Sequence, residues 1–153
     1  MIMRTGITGF FESGQRIPIF AFSDFKRIVN NVVAGLGFDV SVYLESSVTT
    51  SFHAAVFETD SEPYTVVLGH SNYPIIAFSN PSILLGKPPD FVDHPSIAEK
   101  LGRLFPDVTI AESKELERRI EKSDINCLDP VEVVQVKYWQ PKTIGETVFN
   151  WWA

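Results

Sequence analysis

Hydrophobic and polar positions change period several times along the chain. Short apolar runs at Ile7–Phe11 and Ile17–Phe22, split by the polar stretch ESGQ, suit two short strands joined by a turn. Phe25, Ile28, Val29, Val32, Val33 and Leu36 then recur at helical spacing. Ser23 can cap this helix and Gly35 and Gly37 can stop it, which predicts a helix over 23–36. Phe38, Val40, Val42 and Leu44 alternate with Asp39, Ser41 and Tyr43, the signature of a half-buried strand. Three more strands are expected at 49–59, 64–68 and 74–78. The short connections between them favour antiparallel neighbours.

Pro81, Pro88, Pro89 and Pro95 make regular structure unlikely over 80–95, which reads as a surface connector. Helical patterns dominate after it. Asp93 or His94 can cap a helix with Pro95 in its first turn, and Ile97, Leu101, Leu104 and Phe105 share one face. Residues 108–111 suit a short strand. Ser113 can cap a helix holding Leu116 and Ile120. Asp129-Pro130-Val131-Glu132 reads as cap, first-position proline and third-position acid. Thr143-Ile144-Gly145-Glu146 is a second capping box, opening a final helix with Ile144, Val148, Phe149, Trp151 and Trp152 on its apolar face. The fold class this predicts is α+β, a single domain over 1–153. Its antiparallel sheet of about five strands is packed by the helix at 23–36 and by several C-terminal helices.

Composition narrows the function. At 153 residues with 44% hydrophobic content the chain can bury a conventional core. No apolar run has the length of a membrane span, and the first residues lack a signal-peptide pattern, so a soluble, cytoplasmic protein is expected. The single cysteine, Cys127, excludes an internal disulfide and suits a small half-buried thiol. The net charge of −6 argues against nucleic acid as a direct partner. That charge is unevenly placed. No lysine or arginine occurs between Arg27 and Lys87, a window that holds Asp39, Glu45, Glu58, Asp60 and Glu62.

Catalytic signatures are absent: no phosphate loop, GxSxG, HExxH or CxxC. His53 and His70 fall on predicted strands and could meet across a sheet with Asp60 as a third metal ligand, if the register allowed. Solvated or hydrogen-bonded histidines are the commoner outcome. His94 beside Asp93 looks like an oriented base, but a helix start explains Asp93 equally. Ser71 in GHSNYP could be a nucleophile, and ordinary turn chemistry accounts for the same letters. Glu58, Asp60 and Glu62, spaced by two, would project from one face of a continuing strand. Neither catalytic, metal nor cofactor residues are assigned.

The segment from Glu115 onward carries a resemblance. Tyr138, Trp139, Pro141, Thr143, Ile144, Gly145, Glu146, Phe149, Asn150 and Trp152 match a YWxP segment followed by a (T/R)(I/V)G(E/D)xxFNxWD-like signature. This resembles the C-terminal region of immunity proteins of bacterial contact-dependent growth inhibition systems. Ala153 departs from it, standing where an aspartate is expected. The resemblance implies a cytosolic inhibitor without catalysis of its own that binds one cognate toxin domain, commonly a nuclease, one to one. An acidic surface suits that role, because a nuclease site attracts polyanions and complementary charge speeds encounter. Candidate toxin contacts are Glu45, Glu58, Asp60 and Glu62, with Tyr43, Phe57, Tyr64 and Tyr73 as aromatic anchors and Asp90 and Asp93 as a second tier. The tail signature is assigned to the fold. A small hydrolase using His53 or His70 and a non-catalytic adaptor subunit are the rival readings.

Overall fold

The computed structural model describes residues 2–12, 14–59 and 64–152. They form an α+β fold around a mostly antiparallel six-stranded sheet. Helix α1 (Phe22–Gly35) leads into a meander of β1 (Val40–Leu44), β2 (Phe52–Phe57), β3 (Thr65–His70) and β4 (Ile75–Ser79). Two short strands then share the outer edge of β4. β5 (Phe91–Val92) pairs antiparallel with Phe78 and Ser79, and β6 (Thr109–Ile110) pairs parallel with Ile75 and Ile76. Helices α2 (Pro95–Leu104), α3 (Ser113–Leu116), α4 (Lys122–Ile125), α5 (Pro130–Trp139) and α6 (Ile144–Val148) complete the chain. Among the described residues no helix is long and apolar enough to cross a membrane.

Every residue of β2, β3 and β4 is buried, because both sheet faces are covered. Ala55, Phe57, Val67, Ile76 and Phe78 pack in one cluster with Phe25, Ile28 and Val32 of α1 and Ile97 and Leu101 of α2. Their alternate neighbours, among them Ala54, Val56, Leu68 and Ala77, pack with Ile7, Leu116, Val136, Ile144 and Phe149. The strands therefore read as near-continuous apolar runs rather than clean alternation.

Two glycines mark close approaches between these layers. A Cβ on Gly69 would lie 2.4 Å from the Phe25 ring, so the bare backbone of β3 is what admits the α1 aromatic. A Cβ on Gly145 would lie 2.1 Å from the Phe91 ring and 3.0 Å from the Leu116 carbonyl oxygen. The glycine of the tail signature thus lets α6 seat against β5 and α3.

Several expectations are corrected. The runs at 7–11 and 17–22 are not strands. Gly6 and Gly9 adopt positive φ (86° and 84°), and the polar backbone groups here are held by side chains instead of a ladder. Glu132 takes the Gly6 and Thr8 amides, His70 the Ile7 carbonyl, Asn72 the Pro18 carbonyl and His53 the Phe20 carbonyl. Helix α1 begins at Phe22 with Ala21 at its cap position, so Ser23 does not cap it. In β1 a bulge between Val40 and Val42 shifts the register. Beyond it the faces exchange: Tyr43 turns toward α1, while Val42 and Leu44 are each 43% exposed. The proline-rich stretch holds a 3-10 helix at Pro81–Leu85 as well as β5. Helix α3 stops at Leu116, short of Ile120, and α6 stops at Val148, leaving Phe149–Trp152 outside the helix.

Candidate functional site

The strand register lines up one end of the sheet. Val40 pairs with Phe57, Phe57 with Thr65, Val66 with Ser79, and Ser79 with Phe91. One residue beyond these positions stand, in order across the sheet, Asp39, Glu58, Tyr64, Asn80 and Asp90. Asp39, Glu58 and Tyr64 are level with one another, while Asn80 and Asp90 stand one residue further in, level with Thr65. With neighbouring strands about 4.8 Å apart, Asp39 and Glu58 are adjacent and Asp90 lies about three strand spacings beyond Glu58. Asp39, Glu58, Tyr64 and Asp90 are exposed, Tyr64 at 59%. Asp90 accepts a hydrogen bond from the Asn80 amide at 3.0 Å, which fixes its carboxylate at the rim. Asp60 and Glu62 lie outside the described residues.

The other candidates separate from this row. Glu45 follows Leu44 at the opposite end of β1, roughly 15–20 Å away along the strand. Phe57 is 0% exposed in the α1-facing cluster and presents no surface to a partner. Tyr43 is half-buried: its hydroxyl donates to the Lys26 carbonyl at 3.4 Å and its ring meets Phe22 edge-on, and burial raises its phenol pKa. Tyr73 lies under the N-terminal segment, with its hydroxyl donating to the Thr5 carbonyl and the Arg4 guanidinium 4.8 Å above its ring. Burial raises its pKa too. Of the four proposed aromatic anchors, Tyr64 alone offers a free ring.

Asp93 works inside the fold. Its two oxygens accept from the Ser113 amide (2.9 Å) and hydroxyl (2.6 Å), which hold the carboxyl below the usual range. It therefore anchors the start of α3 rather than capping α2. Asp93, Glu99 and Glu112 border a cleft of about 600 Å³ beside the N-terminus of α2, and the His94 Nε2 is buried without a hydrogen-bond partner among the described residues.

The strand histidines do not converge. His53 packs among Phe20, Phe22 and Phe25, and His70 among Tyr73 and Phe149, on opposite faces of the sheet. His53 Nδ1 accepts from the Ser46 amide at 3.0 Å and Nε2–H donates to the Phe20 carbonyl at 2.7 Å. His70 Nδ1 accepts from the Asn72 and Tyr73 amides (3.0 and 3.1 Å) and Nε2–H donates to the Ile7 carbonyl at 2.6 Å. An amide N–H at Nδ1 demands the neutral Nε2–H tautomer. Burial lowers both pKa values, that of His70 to about 4. Each ring nitrogen is committed, so neither imidazole has a lone pair for a metal or for a proton in transit. The Ser71 hydroxyl donates to the Asn72 side chain at 3.0 Å, away from any base. No group of three His, Cys, Asp or Glu among the described residues has metal-holding geometry.

Comparison with protein-family models, curated proteins and solved structures finds no match to this chain.

Two features escaped the sequence reading. Glu132 is fully buried and accepts four hydrogen bonds: Thr8 amide and hydroxyl on one oxygen, Gly6 and Asp129 amides on the other. The capping signal found only the Asp129 bond. The tail signature, assigned wholly to the fold, divides in two. Phe149, Asn150 and Trp152 are buried, whereas Trp139 and Trp151 stand 38% and 39% exposed on a cleft of about 350 Å³.

Proposed function

We propose that this protein is an immunity protein that binds and neutralises a cognate toxin domain of a contact-dependent growth inhibition system, a nuclease, in the cytoplasm of the cell that makes it. The binding is one to one and the inhibitor performs no catalysis of its own. The tail resemblance supplies the family. The observation that carries the mechanism is the row of Asp39, Glu58 and Asp90 with Tyr64 at one sheet end. No lysine or arginine occurs between residues 28 and 86, the window that holds Asp39, Glu58 and Tyr64.

The row suits a decoy. A nuclease surface built to hold phosphates is cationic, and carboxylates exposed along one sheet end meet it with opposite charge. Tyr64 supplies the amphipathic ring that can anchor such a contact, since rim charges alone add little affinity. Glu45 lies outside this surface. The hydrolase alternative would have to use imidazoles whose ring nitrogens already serve the backbone. The adaptor alternative makes no prediction about charge.

The direct test is co-expression with the toxin domain encoded at the 3′ end of the adjacent upstream gene. Rescue of growth and a co-purifying 1:1 complex support the proposal. Unrelieved toxicity with well-folded inhibitor present refutes it.

A further inference from the structure

All three tryptophans of the chain, Trp139, Trp151 and Trp152, line the cleft of about 350 Å³ between the 82–89 loop and the ends of α5 and α6. The volume lies in the range of ligand sites. Trp139 stacks parallel on Trp152, with centroids 6.4 Å apart and planes 2° from parallel. The indole N–H groups of the two exposed rings are already used: Trp139 donates to Gln135 Oε1 at 3.1 Å and Trp151 to the Ile83 carbonyl at 2.6 Å. These two indoles therefore offer ring faces, not donors. Pro88, Pro89 and Pro141 extend the apolar lining.

Charge at the rim is net positive, two lysines against one glutamate. Lys87 and Lys142 are both exposed there, and neither ammonium has an ion-pair partner among the described residues. The rim carboxylate, Glu146, accepts the amides of Lys142 (2.6 Å) and Thr143 (3.3 Å) on one oxygen and keeps its negative charge. The backbone is also strained at this point. Gln140 is the one non-glycine residue with positive φ (49°) among the described residues, and it sets the turn from Trp139 to Pro141.

We propose that this cleft is a second binding site, for an acidic peptide segment carrying a proline or aliphatic side chain between carboxylates. The apolar residue lies against the Trp139 and Trp151 faces, and the carboxylates meet Lys87 and Lys142. Two lysines match one or two carboxylates. They do not match a nucleic-acid chain, whose affinity comes from many phosphate contacts. The site is independent of the toxin reading and would stand if that reading failed.

Because every tryptophan lies at the cleft, tryptophan emission excited at the long-wavelength edge, where tyrosine absorbs little, reports on it. The probe is the acetylated, amidated peptide Glu-Leu-Pro-Asp, titrated to about 1 mM, the weak limit of specific recognition. A saturable emission change is expected, weakening with salt and about tenfold weaker in Lys87→Glu/Lys142→Glu. Both lysines are exposed, so circular dichroism should be unchanged in that variant. No saturable change, or equal binding of the neutral Gln-Leu-Pro-Asn peptide, overturns the proposal. So does tighter binding of a short oligonucleotide than of the acidic peptide.

Discussion

The Glu132 carboxylate takes both the amide (3.1 Å) and the hydroxyl (2.7 Å) of Thr8, a residue 124 positions away in the chain. With the Gly6 and Asp129 amides on its second oxygen, all its bonds come from donors. An all-acceptor group is required here. Glu132→Gln would aim an NH₂ at two N–H groups, and Glu132→Ala would strand the donors. Each should cost about 2–4 kcal/mol in urea unfolding, with Gln no better than Ala. A near-neutral Gln variant would mean the N-terminal segment is not held this way.

Acid should destabilise the fold through its buried histidines. His70 has a folded pKa near 4 against about 6.5 when unfolded. Above pH 6.5 both states are neutral there and the hydrogen-bonded imidazole contributes fully. As pH falls from 6.5 to 4 the unfolded chain takes up a proton that the folded chain refuses. Stability should drop by about 3 kcal/mol over that window. His53, also lowered, acts in the same direction. Asp93 and Asp124, held low by Ser113 and Arg118, lose their contribution only below that range. Urea midpoints from pH 7 to pH 4 check this. A flat profile contradicts the buried neutral tautomer.

Gly145→Ala should cost about 1–3 kcal/mol or more, since its methyl carbon would meet the Phe91 ring at 2.1 Å. Phe91→Leu shortens the opposing side chain. The double variant should therefore recover part of the loss, and thermal melts of the four proteins measure that coupling. Additive losses would show that the clash is not with Phe91.

Much of the architecture was written in local pattern. The α1 stripe, the meander and both capping boxes follow from spacing and end signals within a few residues. The misplaced parts depend on distant partners. The 7–11 and 17–22 runs have strand-like composition, yet side chains of Glu132, His70, Asn72 and His53 take their backbone groups. In β1 the alternation was correct up to Val40, and the bulge after it reversed the faces and turned Tyr43 inward. For the candidate site, sequence spacing gathered Glu45 and Glu58 in one window, but the hairpin sends them to opposite ends. Asp39 and Asp90, 51 positions apart by number, share a row only because the strand register puts them there.

Histidine chemistry offers a separate discrimination. His53→Gln and His70→Gln remove an imidazole each while leaving a hydrogen-bonding side chain. Protection from a toxin in these variants should follow the fraction of folded protein, with no further loss. A folded variant that has lost protection would reopen a chemical role for the ring.

The central claim concerns charge at one sheet end, and association kinetics test it most directly. The rate of binding to the purified toxin domain should be measured from about 0.05 to 0.5 M salt, where the screening length shrinks several-fold. For the native chain it should fall steeply with salt. Asp39→Asn/Glu58→Gln/Asp90→Asn should bind about tenfold or more slowly at low salt, with a flatter slope, and converge on the native rate at high salt. An unchanged rate and an unchanged slope in that variant would contradict the account.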